Sequence, residues 1–274
     1  MKAEVQKLKK GGKSVGCVPT MGSLHEGHLS LVRESVRTTD RTVVTIFVNP
    51  AQFAPGEDFE KYPRDYDRDI GLLEREGVDI VFLPEMDDIY PPGYKTYVEV
   101  FDLQKRLCGV SRPTFFRGVC TVVLKLFNII QPDRAFFGRK DAQQAIILKR
   151  MVKDLNLDVV IDVLPIVRDR DGLALSSRNA YLKENERDAA LTLSRSLQAA
   201  ENLIGEGERS AEKIGSVMSG MIESVPGTRI DYVEIVDAED LMPLDTLHSE
   251  VLIALAVFVG KTRLIDNTIL TIPT

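Results

Sequence analysis

Two imidazoles three residues apart, in Pro19-Thr20-Met21-Gly22-Ser23-Leu24-His25-Glu26-Gly27-His28, are the first groups in the chain able to do chemistry. On a helix, His25 and His28 would share a face. Gly27 between them would leave that face low enough for a flat ligand to lie against backbone. An imidazole N–H donates to phosphate oxygens and stabilises charge that develops as pyrophosphate leaves. A helix start beside the pair adds backbone N–H groups and the positive end of a dipole. Two other readings compete. One is a metal pair, although zinc ligands on a helix are usually spaced four apart and need a third partner; the one other histidine, His248, is remote. The other is a solvated or capping pair.

Three further segments carry suitable groups. In Gly138-Arg139-Lys140-Asp141 the glycine permits close approach of a nucleotide, Lys140 suits a phosphate and Asp141 suits ribose hydroxyls; the competing reading is a helix start capped by Asp141. Gln144 lies one turn beyond Asp141 and faces the same way. Leu175-Ser176-Ser177-Arg178-Asn179 packs two hydroxyls and a guanidinium into an anion clamp, or else a polar interdomain loop. Asp169-Arg170-Asp171-Gly172 before it reads as a flexible turn on which that clamp closes. Asn49 and Gln52, in Asn49-Pro50-Ala51-Gln52-Phe53, are uncharged donors for a small polar substrate, or turn residues around Pro50.

The elements that must position these groups follow from periodicity. Lys2 to Lys10 reads as a Lys-rich helix ending at Gly11-Gly12. Ser14 to Val18 reads as a strand, and the helix after the histidine motif runs to about Thr38. Arg41 to Val48 is a nearly unbroken β-branched run, which suits a strand covered on both faces. A loop with Pro55-Gly56 follows. The spacing then predicts a helix over Asp65–Glu76, a strand over Val78–Leu83 and a short strand over Thr96–Val100. Beyond these it predicts a helix over Gly118–Gln131, a strand over Asp133–Phe137, a helix over Ala142–Leu155 and a strand over Asp158–Val167. This alternation predicts an α/β fold with a doubly wound parallel sheet, whose ligands bind at the C-terminal strand ends. All four candidate segments follow strands, so they are expected to converge on one rim. After Tyr181 come helices over Glu184–Ile204 and Ser210–Ser224, then strands over Arg229–Val236, Val251–Val259 and Ile269–Ile272. That order predicts a smaller α+β C-terminal domain. The division is expected between Val167 and Ser177, giving domains of residues 1–170 and 171–274.

Composition narrows the function classes. With 44% hydrophobic and 28% charged residues, the 274-residue chain is of ordinary globular type. A formal net charge of −6 argues against a nucleic-acid partner. No apolar run is long enough to span a bilayer, and the basic N-terminus lacks the apolar core of a secretory signal, so no membrane partner and a cytoplasmic location are expected. Cys17, Cys108 and Cys120 show no CxxC pairing and read as buried thiols.

Taken together the motifs resemble a known family. Pro19 to His28 is a variant of the HIGH signature of nucleotidylyl transferases, and Leu175 to Asn179 resembles its KMSKS-type partner. With Ile46 to Phe53, Tyr62-Pro63-Arg64 and Phe136 to Gln144, the chain is similar to the pantothenate synthetase (pantoate–β-alanine ligase) family. The resemblance implies a Rossmann-like first domain, a C-terminal lid and a homodimer. It implies ATP-dependent condensation of pantoate with β-alanine through a pantoyl adenylate, with ATP as substrate and Mg²⁺ assisting. By the same resemblance, Met21, Gly22, Ser23, Leu24, His25, Glu26, Gly27 and His28 line the ATP site, together with Gly138, Arg139, Lys140, Asp141, Val167, Leu175, Ser176, Ser177 and Arg178. Catalytic roles fall to His28, His25, Lys140, Ser176, Ser177 and Arg178. Gln52, Gln144 and Asn49 serve pantoate and β-alanine, and no protein side chain is assigned to a metal. The family commonly has His where Phe115 stands, Glu at Arg139 and an aromatic at Ala142. Two other readings remain: a nucleotidylyl transferase acting on another acceptor, and a non-catalytic nucleotide-sensing or RNA-binding module, which the acidic charge disfavours.

Overall fold

Val15–Thr20 forms the middle strand, β1, of a sheet whose interior is set by the β-branched runs. In the computed structural model, which describes residues 1–54 and 56–273, Pro55 of the Pro55-Gly56 loop and Thr274 lie outside the described residues. The chain divides into two compact units: residues 1–104, 112–139 and 143–167, and residues 105–111, 140–142 and 168–274.

In the first unit, helix α1 (Lys2–Lys10) precedes β1, and Gly11 ends it. Helix α2 (Glu26–Thr38), strand β2 (Arg41–Ile46), helix α3 (Tyr66–Arg75) and strand β3 (Ile80–Phe82) follow. Next come helix α4 (Phe115–Ile130), strand β4 (Arg134–Gly138), helix α5 (Ala142–Asp154) and strand β5 (Val160–Leu164). The five strands described lie in the order β3-β2-β1-β4-β5, all parallel. Val43 and Val44 of β2 are fully buried, as a strand covered on both faces requires. Val18, Leu31, Val32, Val44, Leu73 and Phe136 join sheet and helices in one core. The chain turns outward from β1 to β2 and β3, then returns past β1 to β4, so the direction of winding reverses between β1 and β4. Loops at the C-terminal ends of those two strands flank that reversal, where open α/β sheets bind ligands.

Two expectations are corrected. Thr96–Val100 is not a strand. The Val98 N–H instead donates to Thr121 Oγ1 on α4 at 3.0 Å, so a helix side chain takes the bond a strand neighbour would have made. Helix α4 starts at Phe115, three residues before Gly118, directly after the Arg112-Pro113-Thr114 break. Gly118 serves packing instead. A Cβ there would overlap the Ala51 carbonyl, so only glycine lets α4 lie against the Pro50–Gln52 turn.

The second unit contains helices α6 (Glu184–Gly205) and α7 (Ala211–Glu223) and an antiparallel sheet of β6 (Thr228–Asp237), β7 (Glu250–Val259) and β8 (Thr262–Thr271), in that order. Leu193, Leu197, Ile214, Met218, Ile253 and Leu255 lie in its core. Strand β8 is much longer than Ile269–Ile272, because Asp266 and Asn267 interrupt its apolar pattern without interrupting its pairing.

Candidate active site

The loop after β1 is shaped by a carboxylate that its own sequence does not contain. Gly22 has φ +82 and Ser23 φ +52. A Cβ on Gly22 would come within 3.0 Å of Ile46 Cγ2 and 3.1 Å of Asp69 Oδ2, which requires glycine. Asp69, fully buried on α3, accepts the Ser23 N–H at 2.7 Å and the Leu24 N–H at 2.9 Å. Arg68 donates to the same carboxylate and to the Leu24 carbonyl. Leu24 itself is buried in the core, and Glu26 is exposed and paired with Arg33.

The histidines straddle the start of α2 instead of sharing a helical face. His25 is the N-cap, and its Nδ1 accepts the Gly27 N–H at 3.2 Å; His28 Nδ1 accepts the His25 N–H at 3.3 Å. Their ring centroids are 4.1 Å apart. This is the capping reading, and it sharpens the phosphate reading. Because each Nδ1 is an acceptor, the proton of each neutral ring sits on Nε2, so both rings present an N–H donor. The His25 and Gly27 backbone N–H groups are taken by the imidazoles.

Asn49 fixes Gln52. The Asn49 Oδ1 accepts the Ala51 N–H at 3.2 Å and the Tyr90 hydroxyl at 2.9 Å. Its Nδ2 donates to the Gly118 carbonyl at 3.1 Å and to Gln52 Oε1 at 3.0 Å. Ala51 N–H can only donate and the Gly118 carbonyl can only accept, so the amide orientation is determined. Gln52 therefore turns its Nε2 donor the other way, where it meets Met21 Sδ at 3.1 Å. This contact joins the loops after β1 and β2. Asn49 is 1% exposed, and its amide is engaged by Gln52, Gly118, Ala51 and Tyr90. Burial pushes the Tyr90 hydroxyl above the ordinary tyrosine value, so it stays a donor to Asn49.

Beneath the same turn, Arg112 donates to both Glu57 carboxylate oxygens at 2.6 and 2.7 Å and to the Gln52 carbonyl at 3.0 Å. Its guanidinium lies 3.8 Å from the Phe115 ring centroid, so this ring serves as the platform for Arg112. Arg64 of the Tyr62-Pro63-Arg64 motif wraps its own turn through the carbonyls of Phe59 and Tyr62. At the end of β4, a Cβ on Gly138 would meet nothing within 4 Å, which leaves open space there. Arg139 and Asp141 are half-buried, and Ala142 is buried. Of the two glutamines on α5, Gln143 is buried and donates to the Leu103 carbonyl at 3.0 Å, whereas Gln144 is half-buried. Val167, half-buried, ends the first unit.

Lys140 and the Leu175–Arg178 segment belong to the second unit. Ser176 caps the turn Ser177–Tyr181, its Oγ accepting the Arg178 N–H at 3.3 Å. Leu175, Ser176, Ser177 and Arg178 are all half-buried. The turn before them, expected to be flexible, carries ion pairs. Arg187 of α6 donates to both Asp169 and Asp171 at 2.8 Å, and Arg168 pairs with Asp266. Its acidic residues are thus anchored, and φ +96 at Gly172 makes the reversal.

Asp69, Tyr90, Arg112 and Glu57 were missed from the sequence. Asp69 sits in a charged stretch, Arg64-Asp65-Tyr66-Asp67-Arg68-Asp69, that looks like an exposed helix face. Among the described residues no group of three or more His, Cys, Asp or Glu is arranged to hold a metal ion. The Asp69 carboxylate is engaged by the Ser23 and Leu24 N–H groups and by Arg68. No helix among the described residues is long and apolar enough to cross a membrane.

Comparison with known proteins gives one family. A family-wide sequence profile described as pantoate-beta-alanine ligase matches residues 1–269. The pantothenate synthetase of Thermotoga petrophila is 56% identical over 270 residues, 98% of this chain and 96% of that protein. That of Caldicellulosiruptor saccharolyticus is 56% identical over 98% of this chain and 96% of its own length. Among solved structures, pantothenate synthetase from Thermus thermophilus superposes with a TM-score of 0.92 at 43% identity, covering 96% of each chain. A pantoate-beta-alanine ligase from Francisella tularensis, solved in complex with beta-gamma ATP and beta-alanine, gives 0.77 at 32% identity, covering 97% of this chain and 94% of that one.

Proposed function

The chain belongs to the pantoate–β-alanine ligase family, and from that premise we propose how its residues carry the family reaction. The protein is an ATP-dependent ligase that condenses pantoate with β-alanine to give pantothenate, AMP and pyrophosphate. A pantoate carboxylate oxygen attacks the α-phosphorus of ATP, the bond to the bridging oxygen of the β-phosphate breaks, and pyrophosphate leaves. The amine of β-alanine then attacks the acyl carbon of the pantoyl adenylate. The bond to the AMP oxygen breaks, AMP departs with the electron pair, and the new amide loses a proton.

No side chain need act as nucleophile, so the protein's work is to position two anions and neutralise developing charge. The Nε2–H donors of His28 and His25 meet the phosphates, with His28 stabilising the departing pyrophosphate. Met21 to Gly27, Gly138 to Asp141 and Val167 hold the nucleotide. Lys140 and Arg178 neutralise the triphosphate, and Leu175, Ser176 and Ser177 complete the clamp around it. Gln52 offers its Nε2 donor to a pantoate oxygen beside Gln144, and Asn49 holds Gln52 in that orientation. Mg²⁺ arrives with ATP as part of the substrate. Residues 1–170 form the nucleotide- and pantoate-binding domain and residues 171–274 the lid, in a cytoplasmic homodimer.

The observation that carries the reading is the Gln52–Met21 contact. It sets an amide donor of fixed orientation beside the histidine loop, at the reversal of the sheet. Product analysis tests it. ATP, Mg²⁺ and pantoate should release pyrophosphate, and adding β-alanine should yield AMP and pantothenate. Pyrophosphate release with other small carboxylic acids but not with pantoate would overturn it.

A further inference from the structure

Strand β8 reaches back to the nucleotide segments through two adjacent buried polar residues. Asn267, 4% exposed, donates its Nδ2 to the Lys140 carbonyl at 2.8 Å, across 127 residues of sequence. Asp266, 3% exposed, receives the Arg168 guanidinium in two bonds of 2.6 and 2.9 Å, across 98 residues. The same carboxylate accepts the Asn267 N–H at 2.8 Å, which ties the two grips together. All four residues lie within the second unit. Arg168 begins the turn that leads to Ser176–Arg178, and its Nη1 also closes that turn on the Gly172 carbonyl at 3.1 Å. One dipeptide thus fastens both segments of this unit that carry phosphate-binding side chains.

A buried carboxamide costs stability unless it is hydrogen-bonded, and an apolar residue would suit a strand core as well. What an apolar residue would not supply is a hold on the Lys140 backbone. A long, flexible lysine is precise only to the extent that its Cα is fixed.

We propose that Asn267 is a positioning residue for ATP, acting through Lys140, with Asp266 and Arg168 holding the start of the double-serine segment in the same way. The inference rests on the role given above to Lys140. Asn267 acts on the Lys140 backbone. It sets where the ammonium of Lys140 stands.

The test is a double-mutant cycle on the full-length enzyme: wild type, Asn267→Ala, Lys140→Ala and the pair, with thermal melting of each and KM for ATP and for pantoate. The isosteric Asn267→Asp replaces the donor by an oxygen facing the carbonyl and serves as the second variant. Both Asn267 variants are expected to raise the KM for ATP by about tenfold while the KM for pantoate stays within about twofold. In the Lys140→Ala background, Asn267→Ala should add less than about twofold, because the group it positions is gone. Full multiplication of the two effects, or equal damage to both substrates, would overturn the inference. Impaired Lys140→Ala with both Asn267 variants at wild-type KM for ATP would overturn the inference alone. Wild-type ATP kinetics in Lys140→Ala would overturn it together with the role assigned to Lys140.

Discussion

Asn49 turns Gln52: the Asn49 Nδ2 donates to Gln52 Oε1 at 3.0 Å, which leaves the Gln52 Nε2 as the outward group beside Met21. A glutamine side chain is symmetric in shape but not in charge, and this bond decides which end Gln52 presents. A donor suits the carboxylate and hydroxyl oxygens of a hydroxy acid.

Gln52→Glu keeps the size and reverses the character of that outward end. The variant should lower kcat/KM for pantoate by about 10³, since a carboxylate replaces a donor facing an anion. The KM for ATP should change little. Steady-state kinetics with each substrate varied in turn would check this, and an equal loss for both substrates would contradict it.

Asp69 holds the Gly22–Leu24 loop through two backbone N–H groups. Asp69→Asn turns one acceptor into a donor that opposes an N–H. Urea unfolding should show a loss of about 1–3 kcal/mol, the cost of a buried donor left without an acceptor. The KM for ATP should rise by about tenfold or more as the loop loses its left-handed turn. An unchanged KM for ATP would separate the carboxylate from the nucleotide loop.

Tyr90 gives a pH signature. Its pKa is raised in the folded protein, chiefly by burial, so the folded chain keeps a proton that the unfolded chain releases near pH ~10. The stability it contributes is complete below about pH 10 and is lost as pH rises from there towards the folded value. Melting temperatures from about pH 9 to 11 should therefore fall more steeply for wild type than for Tyr90→Phe. Parallel curves would contradict the assignment.

The fold was legible where local pattern and tertiary environment agree. The run from Arg41 to Val48 reads as a covered strand because burial on both faces demands unbroken β-branched residues. Thr96–Val100 has the right residues but no strand beside it, so propensity alone misleads there. The histidine motif was legible as two imidazoles beside a helix start, with a capping pair among its readings. The reciprocal pattern of the cap was not legible, because spacing does not say which residue stands at the N-cap. Asp69, Arg112 and Asn267 escaped for a common reason. Each acts on backbone far away in sequence, and nothing in its own neighbourhood marks it. Phe115 became intelligible only once the Arg112 guanidinium was found against its ring.

The most direct measurement is exchange of labelled pyrophosphate into ATP with pantoate present and β-alanine absent, for wild type and His28→Ala. Wild type should exchange label only when pantoate is added, and His28→Ala should be slower by about 10² or more, the scale of losing one transition-state donor. Absence of pantoate-dependent exchange in wild type, or near-normal exchange in His28→Ala, would contradict an adenylating site built around this imidazole.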